Sequence, residues 1–548
     1  MKIFDTIKGQ KAIYKLDNEN YSLEELLYNR LGEEANLFGD LNDLHNPFLL
    51  KDMDLAVDRI LLAKENNEKV AVFGDYDVDG VTSTAIMTHL LFTLGIQATY
   101  RIPHRIEDGY GLKDYFVDEL KEKGVSLIIT VDCGIRDDEI ISRAKEKGVD
   151  IIVTDHHEQG EILPKNAVAV VDPKRLDCGY PFDELAGAGV ALKVVDAVLS
   201  KIYSEEQRQD YLKKTIDIAS VGTIADCMNI IGENRIIVSE GLKQIKYSRS
   251  RGLREMLQYN SFESIDCDTV GFDIAPKLNS AGRLDTPYKA LKILLNNNGD
   301  SISENILEIE RLNEQRKKLT SKFMEDALSC VDKTDKILFY YNNDIPHGIA
   351  GIIAGRLTEM FNKPSIVLAS DDDKIVGSSR SPEYFSIVDM LDELKDNFVY
   401  YGGHNSAAGF TLLKNNFDKF KLDLDNFGKN TEIKYEPKSI NIDKIISINN
   451  VSFNFLGEIN KFAPFGRGNE KPVFLIKDFV IKKVSYLGKT NMHLKFENAP
   501  GFKVYGFNMG EYYYDLNKLQ SVNIIAELSE DYWMGRKNIM IRVIDVIK

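Results

Sequence analysis

The chain has 548 residues, 43% of them hydrophobic and 28% charged, with a formal net charge of −16. Those figures imply several folded domains and exclude a long disordered chain. The acidic excess argues against a protein that holds nucleic acid by bulk positive charge, although an acidic metal centre raises the acid count while its ions restore positive potential locally.

Cys133, Cys178, Cys227, Cys267 and Cys330 are scattered without a CxxC pair. A zinc ribbon or a secreted disulfide framework is therefore not expected, and reduced thiols in the cytoplasm fit best. The N-terminus lacks an apolar signal region, and no stretch approaches the roughly 18 apolar residues of a membrane span.

In chain order, KVAVF (69–73), LIITV (127–131), DIIVT (150–154) and AVAVV (167–171) predict short buried strands. DYFVDELKEKG (114–124) and DEIISRAKEKG (138–148) predict amphipathic helices closed by a Gly suited to a left-handed cap. Buried strands alternating with helices imply a parallel α/β sheet. Residues 180–330 read mostly helical, and 302–331 predicts a long connecting helix rather than a core element, its RKK run at 316–318 reading as a solvated face. A second α/β unit follows, with strands at 336–341 and 364–370 around a helix at 347–361. Alternating patterns from 431 onward predict a small antiparallel barrel of the oligonucleotide-binding type. The expected plan is an N-terminal segment (1–40), a parallel-sheet domain (41–230), a helical region with the connecting helix (231–332), a second α/β domain (333–430) and the barrel (431–548).

Acidic residues mark the ends of the apolar runs. KVAVF leads into Asp75, Asp77 and Asp79; LIITV into Asp132; DIIVT into Asp155, His156 and His157; and IASVGTIAD, read as a fourth such strand end, into Asp226. In an open parallel sheet, strand C-termini converge on one ligand-binding edge. Carboxylates gathered there stay ionised together if cations sit among them. Carboxylate oxygens with an imidazole suit Mn²⁺, with Mg²⁺ as the alternative. Two such ions about 3.5–4 Å apart activate water and stabilise a leaving oxygen, the chemistry of phosphoester hydrolysis. Arg105, Arg283 and Arg380 are candidate phosphate clamps; Ser379 and His404 add donors, and Gly402–Gly403 is expected to form an anion-binding turn.

The ordered set GDYDVDGVTSTAI (74–86), YRIPHRIEDGYGL (100–112), VDCG (131–134), VTDHHE (153–158), VGTIADCM (221–228), APKLNSAGRL (275–284), HGIAGIIAGRL (347–357), GSSRS (377–381), GGHNSAAGF (402–410) and FAPFGRGNEKPVF (462–474) resembles the DHH phosphoesterase superfamily, and within it the bacterial single-strand-specific exonucleases. The resemblance covers residues 40–548. It implies a parallel-sheet DHH domain joined by a long helix to a DHH-associated α/β domain, followed by an OB-like barrel. It also implies 5′→3′ hydrolysis of single-stranded DNA to mononucleotides in recombination and repair, by a monomer, beside a single-strand-binding protein and a helicase. By matching position, Asp77, Asp79, Asp132, His156 and Asp226 are expected as metal ligands, and Asp75 as a ligand or a group bonded to one. Asp132 is expected to bridge two ions, Asp155 to orient an imidazole, and His157 to face the substrate phosphate as an acid or donor. Phe474, Tyr486, Phe496, Tyr505 and Trp533 are candidate base-stacking platforms, with Lys482, Lys483, Lys489 and Lys495 tracking the backbone. The rival readings are a DHH phosphodiesterase for very short RNAs or cyclic dinucleotides, which leaves the barrel unexplained, and a non-catalytic replication scaffold, which the complete acid set argues against.

Overall fold

The computed structural model describes all residues except 32–38, 106, 261–264, 296–301, 489–490, 499–501, 534–535 and 548, and the side chains of 532, 533 and 536. The chain forms two compact units, Phe38–Tyr435 and a second made of Met1–Leu37 with Glu436–Lys548.

In the larger unit, strands β1 (Lys69–Gly74), β2 (Gln97–Arg101), β3 (Val125–Val131), β4 (Asp150–Thr154) and β5 (Ala169–Val171) form a parallel sheet in the order β2-β1-β3-β4-β5. The strands read as continuous apolar runs because both faces are covered. Val70 and Val72 enter one core, and Ala71 and Phe73 enter the other. The helices Asp114–Glu122 and Asp138–Glu146 end at Gly124 (φ 81°) and Gly148 (φ 77°), as their sequences predict. The strand order reverses between β1 and β3, so the crevice at this switch point opens at Asp75 and Asp132.

IASVGTIAD is not a strand. Ile216–Ala225 is a helix and Asp226 caps its C-terminus. A short apolar run has no periodicity that separates a buried strand from a buried helix. The helix Ile302–Cys330 does connect two sheets, but it is also core, which corrects the reading above. Ile302, Ile306, Ile309 and Leu312 pack into the first core, and Phe323, Met324 and Ala327 into the second.

The second sheet of this unit comprises β6 (Leu338–Asn342), β7 (Ser365–Asp371), β8 (Lys374–Arg380), β9 (Tyr400–His404) and β10 (Ala407–Leu413), ordered β9-β10-β8-β7-β6. The β6–β7 pair is parallel and the other pairs are antiparallel.

In the smaller unit, Lys2–Asp5, Lys11–Tyr14 and Ser439–Ile442 form one sheet. A seven-stranded, mainly antiparallel sheet includes the long Ser521–Trp533/Arg536–Ile547 pair. Phe474 and Phe496, at 0% and 1% exposure, are core residues and not stacking platforms. Tyr486 stacks on Tyr513 at 4.5 Å, and Tyr505 is half-buried. Lys482, Lys483 and Lys495 are exposed; Lys489 and the Trp533 side chain lie outside the described residues. Among the described residues no helix is long and apolar enough to cross a membrane.

Candidate active site

The acids at the β1 tip are placed by the turn into helix α1 (Val78–Thr93). Asp77 is its N-cap and accepts the Gly80 N–H at 3.1 Å. Gly80 is required here, because a Cβ on it would lie 2.4 Å from the Asp75 carbonyl oxygen. Asp79, one residue into the helix, is buried, and helix α2 (Gly187–Ser200) meets it end-on. The Gly187 and Ala188 N–H groups donate to its Oδ2 and Oδ1 at 2.7 and 2.9 Å. These are N–H groups a helix leaves unpaired at its start, and they favour a carboxylate.

Asp132 ends β3 in a left-handed conformation (φ 60°), with its N–H donating to Thr154 O at 3.0 Å. Its Oδ1 lies 3.0 Å from His156 Nε2, and neither atom has a hydrogen-bond partner. His156 Nε2 also lies 3.7 Å from both Asp79 Oδ2 and Asp226 Oδ2. Three sets of candidate ligand atoms each fall within 4.8 Å: Asp132–His156–His157, Asp79–His156–Asp226 and Asp75–Asp77–Asp132. Adjacent ligands of an octahedral ion at about 2.1 Å are about 3 Å apart. The orphaned pair Asp132 Oδ1 and His156 Nε2 has that spacing, so these residues fit a divalent cation.

The electrostatics point the same way. Burial and the neighbouring Asp77 push Asp75 up to about 8. Burial raises Asp79 and Asp132 well above the usual carboxylate range, with Asp226 acting next on Asp79 and Asp79 next on Asp132. Burial and then His157 lower His156 to about 3, leaving a neutral imidazole ready to ligate. The adjacent histidine is the reverse case. Burial opposes its protonation, but Asp155, whose Oδ1 sits 2.7 Å from Nδ1, lifts His157 to about 9. Burial likewise opposes ionisation of Asp155, yet His157 holds it at about 2. Asp155 also accepts the Ile135 and His156 N–H groups at 3.0 and 2.8 Å, and so orients His157.

These shifts give a test in the absence of metal. A carboxyl raised from 3.8 to about 8 binds its proton more tightly when folded, so stability falls as pH rises between those values. Thermal melts in chelator should therefore lose stability from about pH 5 toward about 8, less steeply in Asp75→Asn, and Mn²⁺ should reverse the loss. Identical pH slopes for the two proteins would contradict the assignment.

Beyond the acids lies a group of arginines. Arg105 sits over the Tyr76 ring at 4.3 Å. Arg283, at the end of helix α3 (Ala275–Leu284), donates from Nη1 to Gly348 O at 2.8 Å. Arg380, on β8, reaches helix α4 (His347–Phe361), where a Cβ on Gly351 would lie 3.1 Å from Nη2. Burial, then Arg105, Arg316 and Arg380, lower Arg283 to about 9. Burial and Arg356 lower Arg316, whose Nε and Nη2 are held by Asn313 Oδ1 at 3.2 and 2.9 Å. Elsewhere arginines are paired with acids, as in Arg59, Arg143, Arg175 and Arg208. Among the described residues none of Arg105, Arg283, Arg316, Arg356 and Arg380 lies in ion-pair range of a carboxylate. A cluster of guanidinium groups with no carboxylate in ion-pair range is an anion site.

Two sequence expectations need correction. Ser379 is fully buried and its hydroxyl donates to Ala408 O at 2.9 Å. Strand alternation puts Ser378, not Ser379, on the Arg380 face, and Ser378 Oγ would lie 3.5 Å from a Gly351 Cβ. Gly402 and Gly403 form no turn; they pair with Gly409 and Ala408 inside the β9–β10 ladder. Gly403 (φ 151°) is needed because a Cβ there would lie 2.4 Å from Ala407 O. His404 is exposed at the end of β9, close enough to His157 for that charge to act on its ring. Sequence reasoning missed Arg316, Arg356, Ser378 and Tyr110; the Tyr110 hydroxyl donates to Asp132 O at 3.2 Å and lies 3.2 Å from His157 Nδ1. The RKK run carried a signal for Arg316, and DGYGL one for Tyr110.

The models for the DHH family N-terminal domain, the DHHA1 domain and the RecJ OB domain match residues 69–223, 334–430 and 442–545. The chain is 34% identical over 527 residues to the single-stranded-DNA-specific exonuclease RecJ of Bacillus subtilis, an alignment spanning 94% of this chain and 66% of that relative. It is 30% identical over 501 residues to the RecJ of Thermus thermophilus, covering 91% of this chain and 71% of the relative. Crystal structures of the Thermus thermophilus RecJ with Mn²⁺ and with Mg²⁺ align with 96% of this chain, at TM-scores of 0.83 and 0.76 and identities of 28% and 27%, covering 76% and 74% of those chains. The chain belongs to the RecJ family of single-stranded-DNA-specific exonucleases, with DHH, DHHA1 and OB domains.

Proposed function

We propose that the chain removes mononucleotides from the 5′ end of single-stranded DNA, with Asp75, Asp77, Asp79, Asp132, His156 and Asp226 holding two divalent cations. The observation that carries this reading is the juxtaposition of buried, mutually repelling carboxylates and a neutral His156 with five arginines lacking acidic partners among the described residues. When bound, the cations supply Lewis-acid activation of water and neutralise charge on the phosphoryl oxygens, with Mn²⁺ favoured by the imidazole and Mg²⁺ also able to serve. Asp132, close to both the Asp75–Asp77 pair and His156, would help to hold both cations. The protein's own groups do the rest. Asp155 keeps His157 protonated near neutral pH, so its Nε2–H is a donor to a phosphate oxygen. Arg105, Arg283 and Arg380, with Ser378, clamp the leading phosphate and fix the end of the strand over the acids. The family match to an OB domain supports a substrate longer than a dinucleotide. Cytoplasmic location, a monomeric state, and work beside a single-strand-binding protein and a helicase in recombination and repair complete the proposal.

The test is degradation of 5′- and 3′-labelled strands with Mn²⁺, alongside blunt duplex. Mononucleotide release from the 5′ label with duplex spared is the expected result; release of the 3′ label first would reverse the polarity. Removing one arm of the clamp has a measurable cost. Arg283→Gln and Arg380→Gln should each raise KM for DNA about tenfold or more and reduce the slope of log affinity against log salt by about 1. An unchanged salt slope would place those arginines off the phosphate path.

A further inference from the structure

A third strand tip, next to those of β3 and β4, carries chemistry with no role so far. The sheet ladder runs one residue past each strand: Asp132 N–H donates to Thr154 O at 3.0 Å and Asp155 N–H to Val171 O at 3.1 Å. The next tip, after β5, presents Asp172. It is fully buried, its Oδ1 accepts the Lys174 N–H at 2.7 Å, and its Oδ2 has no partner. This Asx turn fixes the backbone that carries Lys174. Lys174 is half-buried and, among the described residues, has no carboxylate in ion-pair range. From the loop after β3 comes Arg136, whose Nε donates to Glu158 O at 2.8 Å, leaving its Nη groups free of acidic partners among the described residues. His404 approaches from the second sheet, and the charges acting on its ring are His157, Arg136 and Lys174, with Glu158 opposing them. Lys174 also acts on His156. Asp75 is influenced by both Arg105 and His157, so the arginine cluster and the histidine loop both face the acids.

We propose that Lys174 and Arg136, with His404, form a subsite for the phosphodiester that follows the scissile one, on the strand that stays bound. The inference rests on the exonuclease reading above and deepens it. The arginine cluster takes the leading phosphate, the acids with their cations take the scissile one, and this subsite takes the next. Three anionic groups in a row are then matched by three positive centres, and a strand offering all three is held better than one offering two. Asp172 is a positioning residue, acting through the turn that carries Lys174.

Chain length separates this from a general effect on the metal centre. A 5′-phosphorylated dinucleotide has a leading and a scissile phosphate; a trinucleotide adds the third. Hydrolysis of dimer, trimer and 20-mer is compared for wild type, Lys174→Gln and Arg136→Gln with Mn²⁺. Equilibrium binding of the same oligonucleotides is measured with Ca²⁺ in place of Mn²⁺. In each variant the trimer-to-dimer ratio of kcat/KM should fall about tenfold, the loss of one charge-assisted contact, and the binding ratio should fall with it. Equal losses on dimer and trimer, or no loss on either, would overturn the subsite. A wild-type enzyme inert on all three strands would overturn the nuclease reading, and the subsite with it.

Discussion

Asp132→Asn should leave a folded protein that hydrolyses single-stranded DNA more than about 10³-fold more slowly than wild type, a larger loss than removal of one donor from an active site. Asp132 stands where the switch point of the sheet opens and takes part in two of the three ligand sets. Its Oδ1 and His156 Nε2 face each other at 3.0 Å with no hydrogen bond to either, a spacing that suits two ligands of one ion. Asparagine is the informative replacement because it tolerates the left-handed backbone at φ 60° and preserves volume while removing charge. Alanine there adds backbone strain of about 1–2 kcal/mol. Without metal, Asp132→Asn should melt at or above the wild-type temperature, since it neutralises a carboxylate that burial and Asp79 disfavour. With Mn²⁺ the order should invert, because wild type gains binding energy that the variant lacks. Melting curves with and without Mn²⁺, read beside the rate, check both halves. Wild-type turnover in a folded Asp132→Asn enzyme would remove Asp132 from the metal site.

The second large effect comes from a residue with no functional group. A Cβ on Gly187 would lie 2.7 Å from Asp132 Cβ and 2.8 Å from its Oδ1, inside van der Waals contact. Gly187 is also the residue whose N–H holds Asp79 Oδ2 at 2.7 Å. Gly187→Ala therefore pushes helix α2 and Asp132 apart and disturbs two ligands at once. Overpacking of this kind costs about 1–3 kcal/mol, and displacement of reacting groups by about 1 Å can cost roughly 10²-fold in rate. We expect a lower melting temperature, a rate reduced by at least about 10²-fold, and weaker Mn²⁺ binding by calorimetry, with partial recovery at high Mn²⁺. Gly222→Ala is predicted to behave similarly, because its Cβ would lie 2.6 Å from Asp79 Oδ1. Unchanged metal affinity in Gly187→Ala would mean that the tight packing around Asp132 is incidental.

Most of the parallel sheet and its acidic tips were legible because β1, β3, β4 and β5 each run into a carboxylate and the helices Asp114–Glu122 and Asp138–Glu146 each close on a glycine, two patterns local enough to read along the chain; β2, which runs into no acid, was not. Asp226 was legible as an acid but not as a helix cap, since a short apolar run fits either element. Ser379 and Ser378 differ by one position, and strand register alone decides which hydroxyl shares a face with Arg380. The Gly402–Gly403 pair looks like a turn in isolation; its need for glycine comes from Ala407 and Ala408 on the partner strand. Arg316 was hidden in a charge run on a helix that reads as solvated, and Arg136 and Lys174 are single basic residues in loops. What unites these cations is that, among the described residues, none has a carboxylate in ion-pair range of its side chain, which no local pattern records. The helical period of Ile302–Cys330 was visible, but that its apolar face fills two cores in succession depends on the sheets at either end.

The proposed metal centre has two divalent cations sharing Asp132 at the switch point of the first sheet. Crystals grown with Mn²⁺ and measured at the manganese absorption edge test it directly. Two anomalous peaks, one toward Asp79, His156 and Asp226 and one toward Asp75 and Asp77, with Asp132 between them, are the predicted result. A single peak remote from Asp132, or none at saturating Mn²⁺, would contradict it.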